Sequence, residues 1–202
     1  MKSKFEKSRI LISRIIVVAI LVFFIVTGSY WEEDHGMMSY VLFCIGVIFV
    51  GIASLGRMWC SVYIAGYKDN KLITKGPYSL SRNPLYFFSM LGVIGIGFAT
   101  ETFTFPLLLT ALFAIYYPFV IKSEEARLRT YFGNDFEDYV KKVPAFFPRF
   151  SSFDEPSQYM MNPAVYRNHI FSALWFIWIV GIFKVVEGLK ELGFFGHLWI
   201  IY

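Results

Sequence analysis

KLITKGPYSLSRNPLYFF, residues 71–88, is a polar, turn-forming run that ends where a long apolar segment begins. Gly76 permits a turn, Pro77 and Pro84 fix the backbone, and a proline accepted in a first helical turn marks Pro84 as a helix start. Tyr86, Phe87 and Phe88 then stand where aromatic side chains gather at a membrane interface. The stretch therefore reads as an ordered surface loop between two membrane-crossing segments. Its fixed turns can present backbone N–H and C=O groups to a ligand, which a flexible loop does poorly.

The rest of the chain agrees. Its 202 residues are 56% hydrophobic and 20% aromatic, with mean hydropathy +0.53. Only 17% are charged, against about 25% in a typical soluble protein. These values predict an all-α, polytopic membrane protein built as one domain over residues 1–202. Five apolar segments, at about 10–27, 38–64, 85–99, 103–121 and 170–186, supply about five transmembrane helices. The first follows cations, as a secretory signal would, but is too long for a signal core and lacks a small-residue cleavage pattern, so it reads as a retained helix.

Charge placement sets the sidedness. With the N-terminus in the cytoplasm, Lys2, Lys4, Lys7 and Arg9, then Arg57, Lys68, Lys71, Lys75 and Arg82, then Lys122 through Arg167 all fall inside. The first outer loop, SYWEEDHG, carries Glu32, Glu33 and Asp34 and no cation, as the positive-inside rule expects. Basic charge that flanks apolar segments in this way answers the membrane and gives no reason to expect nucleic acid. Two cytoplasmic segments result, 65–84 and 122–169, where a water-soluble cofactor would be handled. In the second, Leu128, Phe132, Phe136 and Tyr139 recur at helical spacing around Gly133, which predicts an amphipathic helix along the membrane surface. The proline-broken, aromatic stretch 143–157 follows as a loop. The tail, 187–202, either continues the fifth helix or folds back along the outer surface.

Three features converge on the cytoplasmic side. The tight turn near 100–102 makes the third and fourth helices an antiparallel hairpin, which brings Pro84 close to Glu124 and Glu125. A carboxylate pair at the end of an apolar helix needs hydration or a cationic partner, and Arg82 or Lys122 can supply one. Gly92, Gly95 and Gly97 permit close approach of a helix or a ligand. Cys44 and Cys60 have no cysteine partner or Cys/His cluster and read as packing residues. The histidines, His35, His169 and His197, have no metal-ligand spacing, so no metal site is expected.

GPYSLSRNPLY followed by EEARLRTYFGNDFEDYVKKVP resembles the two signature blocks of the isoprenylcysteine carboxyl methyltransferase and phospholipid methyltransferase superfamily. The resemblance covers residues 70–144 and leaves 169–202 as an additional helix and tail. It implies S-adenosylmethionine as cofactor, entering from the cytoplasm, and a lipophilic acceptor entering from the bilayer. It further implies a cofactor site in which Asn70, Lys71, Leu72 and Ile73 supply backbone contacts ahead of the Gly76–Pro77 turn. Tyr78 lines the pocket, Arg82, Asn83, Pro84, Leu85 and Tyr86 wrap it, and Glu124 binds from the fourth helix with Glu125 beside it. Asn83 stands where the family has histidine, which keeps hydrogen-bonding capacity and removes a titrating group. Val120 stands where the isoprenylcysteine enzymes carry an arginine for the substrate carboxylate, with Lys122 the nearest cation. The acceptor is thus left open among a prenylated thiol or carboxylate and a lipid amine, and no catalytic base is identified. The other readings are a non-catalytic scaffold or lipid-binding protein and, against the short length, an NADPH-dependent reductase of the sterol type.

Overall fold

The computed structural model describes residues 18–31, 36–67, 71–194, 196 and 198–202. Residues 18–26 are helical and lead into a short strand, β1 (Thr27–Ser29). Then come α1 (Gly36–Ile64), the single-turn α2 (Pro77–Leu80), α3 (Pro84–Phe98), α4 (Thr104–Lys142), α5 (Pro163–Glu191) and a second strand, β2 (Trp199–Ile201). Three of these, α1, α4 and α5, are long and apolar enough to cross a membrane, and α3 is a shorter apolar helix. The all-α, polytopic architecture read from the sequence is the one observed. Of the expected first helix, residues 10–17 lie outside the described residues, as do Glu32, Glu33, Asp34, His35 and His197.

Helices in lipid gain little from apolar burial against one another, so close backbone approach decides which faces meet. The α1–α3 crossing shows this. A Cβ added to Gly46 would lie 2.5 Å from the Ala99 nitrogen and 2.7 Å from the Gly95 carbonyl. One added to Gly95 would lie 2.8 Å from both the Gly46 carbonyl and the Val50 nitrogen. Gly92 and Gly97 likewise face Phe176 and Pro106, so the glycine-spaced face of α3 is consumed by helix packing. Around it Phe24, Val50, Ile96, Phe105, Leu109, Phe176, Val180 and Phe183 form the main apolar core. Gly95→Leu is expected to destabilise the fold by about 1–3 kcal/mol through overpacking, seen as a lower unfolding midpoint in detergent micelles. Gly95→Ala should move the midpoint less, and an unchanged midpoint for the leucine variant would contradict the close crossing.

The α3–α4 hairpin forms as expected, closed by Thr100 and Thr102, whose hydroxyls lie 3.0 Å apart. The tail resolves both alternatives at once. α5 continues to Glu191, the chain turns at Gly193 with φ 80°, and β2 then pairs in parallel with β1, Gly28 opposite Ile200. Lys190 Nζ ties this end down by donating to the carbonyls of Phe24 and Thr27 at 2.6 and 2.8 Å. At its other end α5 starts at Pro163, seven residues before the apolar run, because the Asn162 side chain caps the Ala164 and Val165 N–H groups.

The amphipathic segment departs from expectation. α4 runs unbroken past Ile121 to Gly133, where φ 49° and ψ −121° reverse the chain, and the arm beyond returns along the protein. Its apolar face is the one read from spacing, but Phe136 and Tyr139 are buried against Leu72, Leu128 and Phe132. That face packs on the protein. Gly133 has open space around a Cβ, so its positive φ, and no steric contact, is what favours glycine there.

Candidate functional site

The loop between α1 and α3 and the α4 arm are fastened to each other before any ligand is considered. Tyr139 Oη donates to the Tyr78 carbonyl at 2.6 Å. Arg82 donates through its backbone N–H to the Pro144 carbonyl at 2.9 Å and through Nη1 to the carbonyls of Val143 and Val140 at 2.7 and 3.2 Å. The Ser81 hydroxyl donates to the Phe146 carbonyl at 2.9 Å, and the Gly76 N–H donates to the Asp154 carbonyl at 2.8 Å. Each bond satisfies a backbone group that a free loop would leave to water. The turn-rich stretch is therefore rigid.

Between this loop, the C-terminal end of α1, the N-terminal end of α5, and α4 lies a cavity of about 500 Å³, within the range of small-molecule sites. Lys71, Leu72, Ile73, Tyr78, Arg82, Asn83, Leu85, Tyr86 and Glu124 line it. Four other residues implied by the resemblance do not. Gly76 packs on the Tyr63 ring, Pro77 and Pro84 are fully buried in the turns, and Glu125 stands behind the lining, paired with Arg82 and Asn83. Asn70 lies outside the described residues.

The two glutamates have different environments. Glu125 accepts from Arg82 Nε at 2.9 Å and from Asn83 Nδ2 at 3.2 Å, in a pair whose side chains are only 11% and 17% exposed. Asn83 Nδ2 also donates to the Ala145 carbonyl at 2.9 Å. Glu124 has its side chain on the cavity wall and makes no hydrogen bond or ion pair among the described residues. One carboxylate thus holds the loop in place, and its neighbour is left to face whatever fills the cavity.

Burial pushes the Tyr78 and Tyr139 hydroxyls up, Tyr78 well above the ordinary range, so both are neutral donors at physiological pH. Tyr86 stands on the wall with its ring edge-on to Tyr117, centroids 5.2 Å apart. Sequence reasoning missed Tyr67, Arg127, Leu128, Tyr139 and His169 as wall residues. The helical spacing around Gly133 pointed to Leu128 and Tyr139 as packing positions. Nothing local marks His169, which reaches the cavity because α5 begins early.

Among the described residues no group of three or more His, Cys, Asp or Glu side chains could hold a metal ion. No solved structure matches the chain. It is 36% identical over 181 residues to the nickel-cobalt-cadmium resistance protein NccN of Alcaligenes xylosoxydans xylosoxydans, covering 90% of this chain and 84% of that one. Identity to the cobalt-zinc-cadmium resistance protein CzcN of Cupriavidus metallidurans is also 36%, over 90% of this chain and 81% of the relative. A probable protein-S-isoprenylcysteine O-methyltransferase of Oryza sativa subsp. indica is 30% identical over 127 residues, 59% of this chain and 63% of that one. Residues 35–135, which include α1, the loop, the α3–α4 hairpin and Glu124, match the phospholipid methyltransferase family. This chain, an integral membrane protein, belongs to the phospholipid methyltransferase family.

Proposed function

We propose that the protein transfers a methyl group from S-adenosylmethionine to a lipophilic acceptor that reaches the cavity from the bilayer. The observation that carries this reading is the Glu124 carboxylate, which makes no hydrogen bond or ion pair among the described residues and stands on one wall with Lys71–Ile73, Tyr78 and Tyr86. The donor set fits the cofactor. A carboxylate suits its ammonium or ribose hydroxyls, while tyrosine faces and backbone carbonyls favour a sulfonium cation. When bound, the cofactor supplies an already activated methyl group.

What the chain must add is position. Lys71, Leu72 and Ile73 offer backbone groups, Tyr78 and Tyr86 offer ring surface, and Glu124 fixes one end. Asn83 and Arg82 hold the loop through Glu125, so their contribution is to shape. Aligning the acceptor and excluding water then supply most of the acceleration. An anionic acceptor needs no base, whereas an ammonium acceptor must first lose a proton. The positive-inside arrangement of the cations supports a cytoplasmic position for this end of the bundle.

Membranes containing the protein, incubated with S-adenosylmethionine labelled in its methyl group and then extracted, test the reading. Label is expected in the organic phase, and its mobility identifies the acceptor class. Organic-phase label no greater than in membranes lacking the protein would contradict it.

A further inference from the structure

Residues 141–153, KKVPAFFPRFSSF, carry three cations, four phenylalanines and no carboxylate. From Val143 onward the segment lies outside every helix that is long and apolar enough to cross a membrane. Its phenylalanines are nevertheless turned outward. Phe147 is 70% and Phe150 79% exposed, and Phe153 is exposed as well. The rings that these side chains do touch belong to the ends of two apolar helices. Phe146 and Phe147 stand edge-on to Phe87, in the first turn of α3, with centroids 6.0 and 6.5 Å away. Phe153 lies 6.0 Å from Trp59, near the C-terminal end of α1 at Ile64. The loop therefore sits at the level where α1 ends and α3 begins, which is where the polar boundary of a bilayer falls and aromatic side chains gather.

The charges suit the same boundary. Lys141 pairs with Asp138 at 2.9 Å, and Asp154, the next carboxylate along the chain, is taken by Lys75. Lys142 and Arg149 are exposed and form no ion pair among the described residues. Arg149 Nη2 donates to the Lys142 carbonyl, which holds the two residues together. Facing water, outward phenyl rings would leave apolar surface unburied. Two uncompensated cations among such rings instead match a surface that is anionic on top and apolar beneath. We propose that residues 142–153 form a docking surface for an anionic lipid bilayer, with the rings of Phe147 and Phe150 in the headgroup layer and Lys142 and Arg149 against lipid phosphates. Backbone contacts tie this surface to the candidate site. The Arg149 N–H donates to the Leu80 carbonyl at 2.9 Å, and the Ala145 carbonyl accepts from Asn83, which lines the cavity. Docking of the loop thus fixes one wall of the cavity relative to the bilayer. The inference stands on these contacts and does not depend on methyl transfer.

Spin labelling of the full chain in lipid nanodiscs tests the surface. A nitroxide is attached at Phe150→Cys in a Cys44→Ala background, where the remaining thiol, Cys60, is fully buried. Phe147→Cys serves as a second position should the first variant fail to fold. In discs of phosphatidylcholine with phosphatidylglycerol, the label is expected about 5–10 Å into the headgroup and acyl boundary, so that dissolved oxygen relaxes it more than a water-soluble nickel complex does. Discs of phosphatidylcholine alone should leave the label shallower. Adding Lys142→Gln and Arg149→Gln should remove the difference between the two lipids. A label that the nickel complex reaches more readily than oxygen, in both kinds of disc, overturns the docking surface. A label shielded from both reagents, as beneath a second copy of the chain or another protein, overturns lipid as the occupant. Equal depth in the two lipids overturns the anionic preference.

Discussion

Arg82→Met is expected to destabilise the protein by about 3–5 kcal/mol, the range for removing one partner of a buried ion pair. The substitution leaves Glu125 without its principal cation in a site where only 17% of its side chain is exposed. It also releases the carbonyls of Val140 and Val143, which Nη1 holds. The arm beyond Gly133 would lose its tether to the loop, and the cavity wall at Tyr139 would move with it. Thermal unfolding in detergent micelles should show a large drop in midpoint. Arg82→Lys should recover only part, because an ammonium cannot reach Glu125 and two carbonyls with one planar fork. A midpoint within a degree of wild type for Arg82→Met would mean that Glu125 is satisfied by other means.

The second large effect separates two adjacent glutamates. Glu124→Ala is expected to weaken S-adenosylhomocysteine binding by about tenfold or more, the effect of losing one charge-assisted contact. It should leave the unfolding midpoint nearly unchanged, because that carboxylate makes no hydrogen bond or ion pair among the described residues. Glu125→Ala should do the reverse first, lowering the midpoint by stranding Arg82 and freeing Asn83. Comparing the midpoints of the two ligand-free variants distinguishes the roles without an activity assay. Equal loss of stability in both would contradict the division.

Much of this arrangement was legible in the chain because it is written locally. Pro84 in a first turn, the short 100–102 connection and the apolar face through Leu128, Phe132, Phe136 and Tyr139 each follow from adjacent residues, and each is present. The wall formed by Lys71–Ile73, Tyr78, Asn83, Tyr86 and Glu124 follows from the hairpin that closes the distance between the two blocks. Which glutamate meets Arg82 was not legible. Neighbouring helical residues differ by about 100° in direction, and the rotation of α4 is set by its contact with α3, as where Pro106 meets Gly97. Gly133 announced a break but not its sense, because the return of the arm depends on Arg82 and Tyr139 reaching carbonyls about sixty residues away along the chain, a separation that no local rule encodes. The β1–β2 pair is hidden for the same reason, since three residues at each end carry no periodic pattern. In the sequence Arg57 reads as one more flanking cation, and its hydrogen bonds to Ser89 and Ser172 come from helix packing that no local pattern encodes.

Direct binding of S-adenosylmethionine tests the central claim most closely. Purified wild-type protein in detergent micelles, titrated by equilibrium dialysis or calorimetry, should show one saturable site. S-adenosylhomocysteine should compete for that site, NADPH should not, and Glu124→Ala should weaken it at least about tenfold. No saturable binding by a folded wild-type preparation, or binding untouched by Glu124→Ala, would contradict the account.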